Sequence, residues 1–412
     1  MTFKNIRQRI LLGLTLVALI LVSGAIGIGL ADWPYLSRSW RIAQMSDSGE
    51  WPDSFYSPVA RIGGSEAKPL TPVDSAAAAI APAALEQAAS WAEANNSVAL
   101  LVAHGERLVL ERYWQDMTAD DLFSARAMSR SLLGMVSGFA VRDGRLSLDD
   151  RVDRFLTEWQ GDPRGAITMR QLLQNTSGLE EVPLSAANKG LTAALRNYFD
   201  KNARLSLGND FARTALSFRV AHEAGYRFSV SNANAQLAGV VLERALGGDY
   251  EKLAETLIWA PLEAGPAELY MDRANGMPAV YCCMRATARG FLRLGVLLAN
   301  DGVIAGRQVL PKGWIAEMSR GSQAKPLYGL QIWAGRAKAG VREYVPGSGQ
   351  GVRHSEDFLA DDVIWMEGGG GRTIWAIPSR QLVIVRLGRA SPTWDGSKLV
   401  NSILRGLQQT PD

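Results

Sequence analysis

The stretch 124-SARAMSRSLLGMVSGFAVRDGRLSLDD-150 decides how this chain is read. Met128, Leu132, Met135, Val136 and Phe139 recur at the spacing of one helical face, which predicts a helix from about Ala127. Gly144 supplies its stop, because glycine takes the left-handed conformation that closes helices. The helix opens on a run rich in serine and arginine, and those residues pose the chemical question.

Outward from that helix the pattern changes. Upstream, PAALEQAASWAEANN (82–96) is rich in Ala and Glu and predicts a helix. SVALLVAHGERLVLERYW (97–114) reads as two strands joined at His104-Gly105, so His104 is expected to be a hairpin residue. Downstream, a helical region broken by loops runs to about residue 300. The end of the chain is β-rich: YGLQIWAG (328–335), DDVIWMEGGGG (361–371), RTIWAIP (372–378) and QLVIVRLG (381–388) are short strand candidates. SKLVNSILRGLQQ (397–409) closes as a helix. Strands at both ends with helices between imply an α/β body with an inserted helical lobe at about 145–300, and no internal repeat is visible.

The chain has 412 residues, 47% apolar and 21% charged, which is ordinary for a globular protein with a large core. A net charge of +3 gives no support to nucleic-acid binding. Twelve Trp is a high count, consistent with core packing. The two cysteines are adjacent, Cys282 and Cys283. Neighbouring Cα atoms lie roughly 3.8 Å apart, shorter than an ordinary disulfide wants, so two buried thiols are expected. The three histidines, His104, His222 and His354, are scattered and show no metal-ligand spacing. Neither a metal nor a cofactor is expected.

The N-terminus has the layout of a membrane anchor. Lys4, Arg7 and Arg9 precede an uncharged run from Ile10 to Leu30, long enough to cross about 30 Å of hydrocarbon as a helix. The basic flank (1–9) is expected to stay cytoplasmic, with the domain beyond the run outside. A cleaved signal usually has a shorter apolar run, of about 7–15 residues, so the length favours an anchor over a secreted form. Residues 31–70 read as a linker and 71–412 as the folded domain. The expected location is a bacterial inner membrane, single-pass, with the domain in the periplasm.

Five stretches in order resemble the β-lactamase-related serine hydrolases, the penicillin-binding-protein fold, and most of all their esterase and 6-aminohexanoate-dimer-hydrolase branch. They are DGRLSLDDRVDRFLTEW (143–159), ITMRQLLQNTSGL (167–179), GYRFSVSNANAQLAGVVLERALG (225–247), the run from Cys282 to Ile315, and IWAIPSRQLVIVRLG (374–388). The resemblance covers about 70–410. It implies an antiparallel sheet flanked by helices, an all-helical lobe, and a site in the cleft between them.

The resemblance also implies where the chemistry should sit. The family's Ser-x-x-Lys supplies a nucleophile and the base that activates it. A tyrosine on the opposite wall relays protons, and backbone N–H groups stabilise the oxyanion. On this sequence the Ser position falls on Ala127, the Lys position on Arg130 and the Tyr position on Val230, while the motif's Asn remains as Asn232. Gly368, Gly369, Gly370 and Gly371 form the glycine-rich edge, followed by Arg372. Ser129 and Ser231 are further cleft candidates. Two true Ser-x-x-Lys strings, Ser65 to Lys68 and Ser322 to Lys325, do not open an apolar-periodic helix.

Two readings follow. In the first, the protein keeps the fold without standard acyl chemistry and binds a small ester, amide or cell-wall-like ligand as a pseudoenzyme. Arg130 then either pairs with a carboxylate or, with Arg126 or Arg372, builds an anion-binding cleft. In the second, a displaced nucleophile such as Ser129, paired with His222 or His354, keeps hydrolase activity. Tyr226, four residues before Val230, is a further stand-in for the lost tyrosine.

Overall fold

The computed structural model describes residues 15–17, 19, 22–23, 27, 32–43, 55–73, 80–181, 198–348 and 351–407. Its centre is a seven-stranded sheet built from β1 (Thr71–Pro72), β2 (Ser97–His104), β3 (Arg107–Tyr113), β4 (Trp333–Ala334), β5 (Ile364–Gly368), β6 (Arg372–Ile377) and β7 (Leu382–Gly388). The spatial order is β4-β5-β6-β7-β2-β3-β1. Every pairing is antiparallel except β1 on β3. The first and last parts of the chain therefore meet in mid-sheet, where β7 lies beside β2 with Ile384 opposite Val102.

Both faces of the middle of this sheet are covered, which is why β2, β6 and β7 read as largely apolar runs, whereas the outer strand β3 alternates. Successive side chains alternate between faces. Leu100, Val102, Ile384, Trp365 and Trp375 enter one core layer, with helices α1 (Pro82–Ala94) and α5 (Gly396–Gly406). Leu101, Ala103, Val383, Val385, Ile374 and Met366 enter the other. That second layer is closed by α2 (Ser131–Arg142), α3 (Asn232–Leu246) and α4 (Ala288–Ala299). Helix α4 sits directly on β7: a Cβ on Gly295 would lie 2.4 Å from Val383 Cγ1.

The expected first helix divides in two. Arg126–Arg130 is a 3₁₀ turn, and the α-helix proper begins at Ser131 and ends before Gly144, which has φ 64°. Gly134 and Gly138 lie one turn apart on α2; Gly138 faces the Trp314 ring and Gly134 faces the Leu330 carbonyl and Met318, while Trp314 Nε1 donates to Gly134 O at 2.8 Å. YGLQIWAG contributes only two residues to the sheet, because most of it folds as a turn around Gln331, with φ 59°.

The segment 31–70, read from sequence as a linker, holds a helix (Trp33–Ala43) and a strand (Val59–Ile62) that belong to the body. Tyr35, Phe55 and Tyr56 are buried, and Arg38 donates to Asp272 O at 2.7 Å. The strand pairs with Ala267–Tyr270 in a small second sheet, whose other end is Phe123–Ser124. That end leads straight into the 3₁₀ turn. The apolar run 10–30 lies mostly outside the described residues, and among those described no helix is long and apolar enough to cross a membrane.

Candidate active site

The 3₁₀ turn is held from three sides. Ala125 N–H donates to Met284 O at 2.7 Å, and Cys283 N–H donates to Arg126 O at 3.0 Å. Arg126 has φ 49°, a left-handed conformation that a side chain disfavours by roughly 1 kcal/mol, so packing imposes it. The third side is β5. A Cβ on Gly368 would lie 2.3 Å from Ala125 O and 3.3 Å from Ala127 N, so only glycine lets the strand end approach this closely.

Between this turn, the start of α3 and the end of β5 lies a cleft of about 290 Å³. Ala127, Arg130, Val230, Asn232, Gly368 and Gly369 all line it. Positions up to 242 residues apart in the numbering thus converge on one space, with Tyr281, Tyr328, Trp333 and Tyr344 as an aromatic wall. Gly370, Gly371 and Arg372 lie outside the lining. Arg372 turns back on its own loop, with Nη1 donating to Gly369 O at 2.8 Å.

Arg130 is 7% exposed. Its Nη2 donates to Asn232 Oδ1 at 3.0 Å and to Tyr281 O at 3.3 Å. Its Nε and Nη1 are buried with no hydrogen-bond partner. Neither acceptor is a carboxylate, so the expected alternative of a salt bridge is not what the structure holds. Arg126 also lines the cleft.

Behind the aromatic wall runs a buried polar network. Ser177 Oγ donates to Asn234 Oδ1 at 2.6 Å, Asn234 Nδ2 to Asn175 Oδ1 at 3.3 Å, and Asn175 Nδ2 to Tyr328 OH at 3.0 Å. Tyr328 OH in turn donates to Gln331 Oε1 at 3.1 Å. Burial pushes the Tyr328 phenol up, against the pull of the Arg130 charge. Asn175 and Ser177 belong to the QNTSGL stretch, so that motif shapes the cleft from behind. Ser231 caps α3, accepting from Asn234 N–H, and lines a neighbouring depression of about 340 Å³ together with His222.

The sequence candidates for a displaced nucleophile are not assembled. Ser129 is buried, and its hydroxyl donates to Arg126 O at 3.1 Å, outside the cleft lining. His222 and His354 are also absent from that lining; His354 packs on Phe358, and burial pulls its pKa down. Tyr226 is 79% exposed. Lys68 pairs with Glu263 on the surface, and Ser322 closes a tight turn with the Lys325 backbone.

Two features were missed from sequence. The first is a carboxylate in the cleft: Glu367 accepts from Arg342 and from Tyr344 OH, and Trp365 Nε1 donates to it at 3.3 Å. Arg342 lies over the Trp333 ring, 3.9 Å from its centroid. Burial pushes the Tyr344 phenol well above its ordinary value. Tyr344 follows the hairpin strand Gly340–Glu343, its carbonyl accepts from Val230 N–H at 3.0 Å, and both residues line the cleft.

The second is a correction. Cys282 and Cys283 are not thiols; they form a disulfide, with S–S 2.05 Å and Cα–Cα 3.7 Å. The short Cα spacing that argued against a bond is met by turning Cys283 to φ 77°, which brings neighbouring side chains to the same side. Both cysteines line the cleft.

Comparison with known proteins agrees with this layout. The beta-lactamase family model matches residues 83–401. A 6-aminohexanoate-dimer hydrolase from Paenarthrobacter ureafaciens is 26% identical over 241 residues, 56% of this chain and 58% of that protein. The chain thus spans a little over half the length of that relative. A Bacillus anthracis structure provisionally described as a 6-aminohexanoate-dimer hydrolase superposes with a TM-score of 0.65 at 17% identity, over 91% of this chain and 94% of the other. A D-stereospecific amidohydrolase from a Streptomyces species superposes at 0.55 and 19%, over 79% and 98%. At such identities the two superpositions speak for the fold alone.

Proposed function

The chain belongs to the beta-lactamase family of serine hydrolases, and from that premise we propose that it is a pseudoenzyme, a ligand-binding member without standard acyl-transfer chemistry. The observation that supports this is the convergence of Ala127, Arg130 and Val230 on one cleft. A methyl group has no electrons to give a carbonyl. An arginine cannot surrender its proton near neutral pH. A valine relays nothing. Removing one member of a catalytic unit lowers turnover by about 10⁴–10⁶-fold in a well-studied serine protease. Binding and oxyanion donors alone leave on the order of 10³-fold over water.

One hydroxyl in the cleft does meet a carboxylate, that of Tyr344 at Glu367. It favours a second reading, in which Tyr344 is the nucleophile and Glu367 its base. Two facts weigh against it. Burial raises the phenol, which disfavours the phenolate, and Glu367 is already engaged by Arg342.

The ligand class follows from the relatives: a small ester, an amide or a cell-wall-like fragment. The proposal includes a membrane anchor at Ile10–Leu30, with the domain on the outer side of a bacterial inner membrane, because the run is uncharged and its basic flank precedes it.

A fluorophosphonate serine probe and a set of p-nitrophenyl esters test the reading. The expected result is no covalent adduct and no ester turnover above buffer. Labelling of any cleft residue, or turnover abolished by Tyr344→Phe, would overturn it.

A further inference from the structure

Among the described residues Arg130 is a buried cation with no ion-pair partner. Its partners there are all neutral: Asn232 Oδ1, the Tyr281 carbonyl and the neighbouring Tyr328 hydroxyl, and Nε and Nη1 make no well-formed hydrogen bond. Desolvated charge without a partner is unfavourable, and hydrogen bonds from guanidinium to an anion are the strong kind. The other cleft charges do not answer this need: Glu367 is held by Arg342 and Tyr344. Arg130, Arg342 and Glu367 together thus leave one positive charge over, while Arg126, also on the lining, has an interaction of its own. Arg130 lines the cleft.

We propose that the cleft is a binding site for a small organic monocarboxylate, its carboxylate at Arg130 and its apolar body against Trp333, Tyr328 and Tyr344. One uncompensated cation calls for one negative charge. A dianion such as a phosphate ester would leave a charge facing Glu367 on the same wall. The aromatic side chains supply flat apolar surface rather than further donors, and the space of about 290 Å³ suits a ligand at the lower end of the usual range. Arg130 has the role of a binding residue here, in the place where catalysis would require a proton acceptor. This rests on the reading that the cleft binds without cleaving, and it names the class of ligand.

Calorimetric titration of the full-length protein with phenylacetate, phenylacetamide and phenylphosphonate tests it. Phenylacetate is expected to bind at least about tenfold tighter than either of the others. Arg130→Gln should reduce phenylacetate to the level of phenylacetamide, and Arg130→Lys should keep part of the difference. Equal affinity for phenylacetate and phenylacetamide in the unmodified protein overturns the proposal whether or not the variants fold. So does tighter binding of phenylphosphonate, or no binding of all three at millimolar concentration. These outcomes leave the loss of acyl transfer standing. Labelling by the serine probe would remove that reading while a carboxylate preference in the titration kept this one.

Discussion

Two buried arginines of this molecule have opposite surroundings. Arg386, on β7, is fully buried. Its Nε donates to Ser97 Oγ at 2.8 Å, Nη1 to Gly370 O at 2.5 Å, and Nη2 to Asn95 O at 2.7 Å and Arg389 O at 3.0 Å. It also lies over the Trp394 ring, 4.3 Å from the centroid. Arg130 makes two well-formed hydrogen bonds and leaves Nε and Nη1 without any. The first arrangement stitches β2, β7 and the glycine loop together. The second stabilises nothing in proportion to the charge it buries. A satisfied buried cation belongs to the scaffold, whereas an unsatisfied one at a cleft is what a binding site looks like before its ligand arrives.

The largest effect expected from this contrast is chemical. Under the proposed assignment, Ala127→Ser, Arg130→Lys and Val230→Tyr together supply the groups the resemblance implies, and ester hydrolysis should rise by on the order of 10²–10⁴-fold, read with p-nitrophenyl acetate. A folded but inert triple variant would mean that the cleft has lost more than its side chains.

The next effect is on stability. Arg386→Met strands its oxygen acceptors and should cost about 3–5 kcal/mol in urea unfolding. Arg130→Met should cost nothing or add about 1 kcal/mol, since it removes a charge the fold does not use. If the two variants lose equal stability, the contrast between them is wrong.

Gly138 sharpens the same contrast from the side of packing. A Cβ there would lie 2.6 Å from Trp314 Nε1, so Gly138→Ala should destabilise by about 1–3 kcal/mol while leaving phenylacetate affinity unchanged.

The smallest effect concerns Glu243, a largely buried carboxylate with no ion pair among the described residues. Burial raises its pKa to about 7, and its oxygen accepts from Tyr250 N–H at 2.9 Å. A carboxyl raised in the folded state contributes fully below its unfolded pKa, and the contribution is lost as pH climbs through about 7. Glu243→Gln should therefore be neutral at pH 5 and stabilising by on the order of 1 kcal/mol at pH 8, after allowance for solvent screening. The comparison with Arg130 is instructive. A carboxylate in this position can relieve itself by taking a proton, but a guanidinium has no such escape.

Much of the fold was legible because both sheet faces are covered. That gives β2, β6 and β7 largely apolar runs, interrupted at Arg386 and headed by Arg372 on β6, and the motif stretches lie in the order the family uses. The placement of Ala127, Arg130, Val230 and Asn232 around one cleft was expected from the resemblance. What sequence hid has local physical causes. Arg342 and Tyr344 come from a hairpin edge with no motif, and only the folded chain brings them to Glu367 on β5. The disulfide was missed because Cα spacing was weighed without the left-handed turn at Cys283. The segment 31–70 reads as a connector because its buried aromatics are too sparse to show a period.

The bond between Cys282 and Cys283 makes one wall of the cleft sensitive to the redox state around it. Cytosolic thiol pools keep such pairs open, whereas the space beyond a bacterial inner membrane keeps them closed. The Cys283 amide also holds Arg126, one residue from Ala127, so the oxidised pair sits against the innermost turn of the cleft.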